Sequence, residues 1–189
     1  QINPHFIYNA LDSISWKAKE NRQYEIDDML VTLATFFRIG LHRGDALITI
    51  SDELTHVKSY LEIEAIRFPN LFDVSYDIDE TILNCMTIKI ILQPIVENSI
   101  KHGFNELDRK GHIGIRISAA GQDILFEVTD NGRGMELTSG QLPRSASTSG
   151  GYGLYNVNQR LLMYYGRDYG LQIKSALHQG TQVLMRIKK

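Results

Sequence analysis

The hydrophobic period of this chain changes near residue 70, and that change limits what it can fold into. Before it, apolar residues recur at helical spacing. After it, Phe72-Asp73-Val74-Ser75-Tyr76-Asp77-Ile78 alternates with period two, as a half-buried strand does. The first part predicts three helices. Residues 5–20 hold no Gly or Pro, and Phe6, Asn9, Leu11, Ile14 and Trp16 give a mixed face. Residues 25–42 place Met29, Leu30, Leu33, Ala34, Phe37 and Leu41 on one stripe, with Gly44 beyond the end. Ser51 is positioned to cap a third helix, where Asp52 and Glu53 suit the positive end of the dipole. Leu54, Val57, Leu61 and Ala65 form its expected buried stripe, and Pro69 closes it. A helical hairpin with so wide an apolar stripe predicts a homodimer.

Beyond residue 70, residues 87–102 return to helical period, with Ile88, Ile91, Leu92, Ile95, Val96 and Ser99 on one face; Pro94 implies a late start or a kink. His112–Ala119 and Asp123–Thr129 read as strands paired around Gly121-Gln122. Residues 131–151, rich in Gly, Ser and Thr, are long for a structureless loop and read as a functional lid or a disordered segment. Leu154–Tyr165 is an amphipathic helix, and Leu171–Ser175 and Gln182–Ile187 are strands around a His178-Gln179-Gly180 turn. The fold class is therefore α+β, with a helical domain over 1–68 and an α/β sandwich over 70–189.

Composition removes several classes. Twenty Lys+Arg against 22 Asp+Glu give a net charge of −2, without the basic excess of a nucleic-acid binder. One cysteine, Cys85, rules out an internal disulfide scaffold. No apolar run approaches the roughly 18 residues of a membrane span. The opening Gln1-Ile2-Asn3-Pro4-His5-Phe6 reads as the middle of an element, so a fragment of a longer protein is expected.

Four patches can carry chemistry. Asn98, Lys101 and His102 share a helix face, where an amide oxygen beside two cationic groups suits a Mg²⁺–phosphate group; a solvated polar face capped by Gly103 fits the same residues. Asp130-Asn131-Gly132-Arg133-Gly134 follows a strand. There Asp130 can accept from an exocyclic amine and the glycines let backbone approach a flat ring, but a plain Asn-Gly turn also accounts for it. Ser149-Gly150-Gly151-Tyr152-Gly153-Leu154 opens a helix, hence either an anion site or a linker with a cap. It lacks the Gly-Lys-Ser/Thr of a Walker A loop. Arg160, farther along that helix, either reaches phosphate or is a solvated charge. Gly180-Thr181 opens the last strand and needs no function by itself.

Taken in order, Asn98-x-x-Lys101-His102, Asp130-x-Gly132-x-Gly134, Gly151-x-Gly153-Leu154-x-Asn156 and Gly180-Thr181 resemble the N, G1, G2 and final boxes of the GHKL ATP-binding fold. The resemblance implies that ATP and Mg²⁺ are bound, with Asn98 holding the metal and Lys101 and His102 facing the phosphates. It implies that Asp130 reads adenine and that Gly132 and Gly134 line the base pocket under a lid over 135–150. Gly151, Gly153 and Leu154 at the helix start would take the phosphates, and Thr181 would support the adenine end.

The first domain narrows the choice. Gln1-Ile2-Asn3-Pro4-His5-Phe6-Ile7-Tyr8-Asn9-Ala10-Leu11 resembles the phosphoacceptor segment of LytS/YesM-type sensor histidine kinases. Tyr60-Leu61-Glu62-Ile63-Glu64-Ala65-Ile66-Arg67-Phe68 and Leu92-Gln93-Pro94-Ile95-Val96-Glu97-Asn98 are similar to further segments of that family. This implies autophosphorylation of His5, then transfer to an aspartate of a response regulator. It also implies that the chain is the cytoplasmic part of an integral membrane protein whose anchor and sensor lie in other segments. Phe6 stands where other histidine kinases carry an acid, so no base is identified; Asn9 can orient the His5 ring, and Glu97 is the acid nearest the metal box. Two other readings compete: a GHKL ATPase that drives conformational change, and a degenerate binding or dimerisation module. The intact Asn98, Asp130, Gly132, Gly134 and Gly153 argue against the second.

Overall fold

Helical spacing in the first third builds a hairpin of α1 (Pro4–Glu20) and α2 (Tyr24–Leu41), as expected from the two stripes. The computed structural model of the chain describes residues 4–41, 46–105, 107–136 and 151–189. The hairpin is tied by Asp27 at the start of α2. This carboxylate is buried, accepts the Ser15 hydroxyl and lies 3.4 Å from Lys19 Nζ. Tyr8 donates to the Phe37 carbonyl at 3.1 Å farther along.

A short strand, β1 (Leu47–Thr49), then leads into α3 (Ile50–Arg67). Here the structure corrects the expected cap. Thr49, not Ser51, caps α3, its hydroxyl accepting from the Asp52 amide at 3.0 Å. Strand β1 delivers the chain to that point, and Ser51 is already in the helix with its amide on the Leu83 carbonyl. The buried face of α3 also differs: Leu54, Val57 and Leu61 are inside as expected, but Ala65 is exposed and Glu53, His56 and Glu64 are buried.

Strand β2 (Phe72–Ile78), a single 3-10 turn (Glu80–Ile82) and β3 (Met86–Ile88) follow, with β3 antiparallel to β1. The expected helix over 87–102 is thus shorter than its period suggested. Helix α4 (Gln93–Asn98) starts with Pro94 in its first turn, where the missing N–H is harmless, and passes into a π-helical turn over Ser99–Gly103. Ile88, Ile91, Leu92, Ile95, Val96 and Ser99 are nevertheless all buried. Strands β4 (Gly111–Ala120) and β5 (Asp123–Asp130) form the expected hairpin over Gly121-Gln122, with Gly121 at φ 67°. Helix α5 (Gly151–Tyr165), β6 (Gln172–Ser175) and β7 (Thr181–Lys188) complete the chain. The expected lid, apart from Met135 and Glu136, and Gly44 lie outside the described residues.

The main sheet runs β2-β4-β5-β7-β6, with β2 parallel to β4 and the other pairs antiparallel. Register turns the two-residue period into one apolar face: Ile117, Phe126 and Met185 are opposite one another, and so are Ile115, Val128 and Val183. Against this face pack Ile50, Leu54, Val57 and Leu61 of α3, Ile95 and Val96 of α4, and Leu154, Val157 and Leu161 of α5. The helix that follows the hairpin therefore shares its core with the sheet. Phe126 is fully buried at the centre, so Phe126→Ala should cost about 3–5 kcal/mol of unfolding free energy. The urea midpoint measured against the parent checks this.

Candidate functional site

Period two also aims the key carboxylate. Ile124, Phe126 and Val128 of β5 point into the helical layer, so Asp130, at the end of the strand, points the same way. There its Oδ2 accepts from Ser99 Oγ at 2.8 Å, and its Oδ1 accepts from the amides of Gly132 at 2.9 Å and Thr181 at 3.2 Å. Burial pushes the Asp130 carboxyl above its usual range, opposed by the Ser99 hydroxyl and the two amides. A carboxylate has about four acceptor sites, and three are filled from the protein. Among the described residues nothing fills the remaining one, on Oδ2, where an amine brought in from outside could donate.

Two glycines are required by the packing around this group. A Cβ on Gly132 would lie 2.7 Å from the Gly103 Cα and carbonyl oxygen, so the turn after β5 lies directly on the π-helical turn. Gly134 has φ 64°, and a Cβ there would meet the Ala176 carbonyl at 1.9 Å. Ser175 joins the same turn to the last strands: its hydroxyl accepts from Met135 N at 2.9 Å, donates to the Gly180 carbonyl at 2.7 Å and lies 3.1 Å from Thr181 Oγ1. The structure thus gathers Asp130, Gly132, Gly134 and Thr181 into one place.

The second gathering is between α4 and α5. A Cβ on Gly153 would be 3.4 Å from Pro94 Cβ and 3.9 Å from Asn98 Nδ2, so the start of α5 approaches Asn98 closely. Gly151 is the first residue of α5, and Leu154 is buried in the core beneath. Asn98 Nδ2 donates to the Pro94 carbonyl at 2.8 Å, which leaves the amide oxygen as the atom it offers. That oxygen suits a hard cation such as Mg²⁺, which takes few protein ligands when phosphates supply the others. Lys101 Nζ pairs with Glu97, one turn back, and His102 is half-buried on the π-helical turn. Arg160 is neither a solvated charge nor aimed at this cleft: it donates to the carbonyls of Lys89 and, at 3.3 Å, Ile90.

His5 and Asn9 belong to α1 and pair with each other, Asn9 Nδ2 lying 3.2 Å from His5 Nδ1. They are not part of either gathering. Sequence reasoning missed Ser99 and Ser175 as partners of Asp130 and Thr181. The signal for Ser99 was a hydroxyl on an otherwise apolar stripe; Ser175, at a strand end, gave none.

Residues 1–72 match the family profile for histidine kinases, and residues 85–189 match that described as histidine kinase-, DNA gyrase B-, and HSP90-like ATPase. Sensor histidine kinase YesM of Bacillus subtilis is 36% identical over 187 residues, covering 99% of this chain and 32% of the relative. Sensor histidine kinase BtsS of Escherichia coli K12 is 35% identical over 188 residues, with coverage of 99% and 32%. The chain therefore spans 32% of the length of these curated relatives. The histidine kinase domain of the blue-light activated histidine kinase of Erythrobacter litoralis is similar with a TM-score of 0.56 and 14% identity, over 98% of this chain and 93% of that one. The catalytic domain of histidine kinase ThkA gives 0.59 at 14% identity, over 76% and 96%. At these identities the likeness is one of fold, and the expected α+β sandwich is borne out.

Asp130→Asn is expected to leave the fold intact, because Oδ1 keeps its two amides and the new NH₂ can donate to Ser99 Oγ. Burial penalises only the ionised carboxyl, so the variant should gain on the parent as pH rises through the elevated pKa. This pH-dependent gain should be lost as pH falls to the ordinary value of 3.8, leaving a constant offset. Urea midpoints of both proteins between about pH 4 and about pH 8 measure this.

Proposed function

Because this chain belongs to the histidine kinase-, DNA gyrase B-, and HSP90-like ATPases and matches the histidine kinase profile over its first 72 residues, we propose that it is the kinase core of a two-component sensor. Residues 70–189 bind MgATP, and residues 1–68 carry the acceptor His5 and the dimer interface. The observation that supports this most directly is Asp130: a strand-end carboxylate, held by Ser99, Gly132 and Thr181, with one acceptor site left for the adenine amine. Gly132 and Gly134 form the wall beside it. The start of α5, with Gly151 and Gly153, presents backbone N–H groups to the phosphates. Lys101 and His102 follow Asn98 on the side that faces them, with Glu97 the adjacent acid. The amide oxygen of Asn98 would hold Mg²⁺, which supplies charge neutralisation on the phosphates.

The transfer is an in-line displacement. An imidazole nitrogen of His5 attacks the γ-phosphorus, an N–P bond forms, the bond to the β,γ-bridging oxygen breaks, and ADP leaves. Neutral imidazole is itself nucleophilic and needs little activation. Asn9 decides which nitrogen attacks. With its carbonyl oxygen towards Nδ1–H, the lone pair is on Nε2; with its NH₂ there, Nε2 keeps the proton and is inert. The two orientations differ by a flip of the amide, and the reactive one places oxygen towards Nδ1. Water then takes the Nδ1 proton.

Apolar side chains left outside on the hairpin, among them Trp16 (68% exposed) and Phe6 (71%), support a homodimer. The phosphoryl group passes on to an aspartate of a response-regulator receiver domain. No nucleic acid takes part. Among the described residues no helix is long and apolar enough to cross a membrane; we assign the anchor and the sensor to segments outside this chain and its kinase reaction to the cytoplasmic side.

Incubation with MgATP labelled at the γ-phosphate tests the reading. Acid-labile, base-stable label should appear on the parent and be absent from His5→Gln. Equal release of phosphate by both proteins, without label, would instead mark a plain ATPase. Asn9→Ala should lower the labelling rate about tenfold or more at unchanged KM for ATP, because it loses orientation of the nucleophile and not nucleotide binding. Asp130→Asn should weaken MgATP binding about tenfold or more, since it replaces an acceptor that the amine requires.

A further inference from the structure

The turn that leads into α4 is gripped from both sides by side chains that no motif includes. From α3, the fully buried Glu53 accepts the Ile90 amide at Oε2 (2.6 Å) and the Ile91 and Leu92 amides at Oε1 (2.7 and 2.9 Å). From α5, Arg160 donates to the carbonyls of Lys89 and Ile90. Ile90 lies between these contacts at φ 58°, a conformation that β-branched residues avoid, so it must be held there. Burial pushes the Glu53 carboxyl up, and the three amides and the Arg160 charge oppose this. One turn farther along α3, His56 Nε2 lies 2.9 Å from Oε1 of Gln93, the first residue of α4.

What this clasp controls follows from its position. It fixes the origin of α4, a helix of only six residues that carries Asn98 at its other end. Through Arg160 it fixes α5 to the same backbone. Pro94 and Asn98 are already in van der Waals range of a Cβ at Gly153, so a shift of α4 against α5 moves Asn98 relative to the start of α5 directly. Asp130 depends on this segment for only one of its three donors, the Ser99 hydroxyl; the sheet register sets it opposite Thr181, whose amide it accepts, as it does that of Gly132.

We propose that Glu53 and Arg160 are positioning residues for the nucleotide site, holding the 89–92 turn so that Asn98 and the start of α5 are correctly spaced for the phosphates. The hairpin is connected to the same clasp, since the His56 ring stacks on Phe36 of α2 at 4.6 Å. The inference rests on the nucleotide-binding reading above and adds residues from α3 and α5 to it.

The test is competition of MgATP and AMP against a fluorescent nucleotide on the parent, Glu53→Gln and Arg160→Lys. Glutamine keeps the shape of Glu53 but turns a donor to a backbone amide, and lysine keeps the charge of Arg160 without its fork. The preference for MgATP over AMP should fall about tenfold in Glu53→Gln and about threefold in Arg160→Lys, with AMP affinity within about twofold of the parent. An unchanged preference, or equal weakening of both nucleotides, would overturn the inference, because loss of stability alone does not separate the two ligands. Where Glu53→Gln does not fold, Arg160→Lys decides by the same criteria. A parent that binds no MgATP would overturn the nucleotide reading itself, and this inference with it.

Discussion

At the end of β5 a carboxylate faces into the protein, and the surroundings of Asp130 are arranged around the need to satisfy it. An ionised group removed from water requires donors. Two come from stretches remote in sequence, the Ser99 hydroxyl from the π-helical turn and the Thr181 amide from the last strand, and the third, the Gly132 amide, comes from the turn directly after the strand. Gathering them forces the turn at Gly132 onto Gly103 with no room for a side chain between. The glycines expected to admit a flat ring are thus demanded by protein packing before any ligand is considered. One structural requirement yields both the close backbone approach and the unfilled acceptor site on which the adenine reading depends.

The fully buried Glu53 carboxylate organises the turn before α4. Glu53 stands on α3 among residues that pack on the sheet, yet its oxygens serve the backbone that precedes α4. The helix that follows the α1–α2 hairpin is for this reason more than a connection. It contributes to the core, grips the turn before Asn98 and, through His56, touches both α2 and α4. Any displacement of α3 has to be accommodated by these contacts, since close-packed interiors transmit strain instead of absorbing it. The hairpin itself is less complete. Leu30, Leu33 and Phe37 are only partly covered and Met29 and Trp16 are exposed, which leaves apolar surface on the hairpin uncovered within one chain.

Much of this was legible in the sequence, because periodicity is a local consequence of backbone geometry. The helical stripes of the hairpin, the alternating strands 113–117 and 124–128 and the Gly121 turn were all readable from spacing alone. So was the order of the glycine-bearing patches, which led to the family resemblance. Where local reading failed, a competing contact is responsible. Thr49 displaced Ser51 as the cap because β1 ends there, paired with a strand nearly forty residues later. The apolar run before Pro94 gave a strand and a left-handed turn because Glu53 and Arg160 hold it so.

The sequence by itself determined which residues are apolar, in which period, and hence the helical segment, the sheet and the direction in which Asp130 points. Only the tertiary structure decided which polar groups meet: Ser99 with Asp130, Ser175 with Thr181 and Met135, Glu53 with three successive amides, Arg160 with the carbonyls beside them. The reason is physical. Burial of apolar surface is non-directional, so its pattern can be read along the chain, whereas a hydrogen bond needs a partner at a particular distance and angle. For these groups the partners are 6 to 71 residues away and are brought into range only by the packing of the sheet and helices.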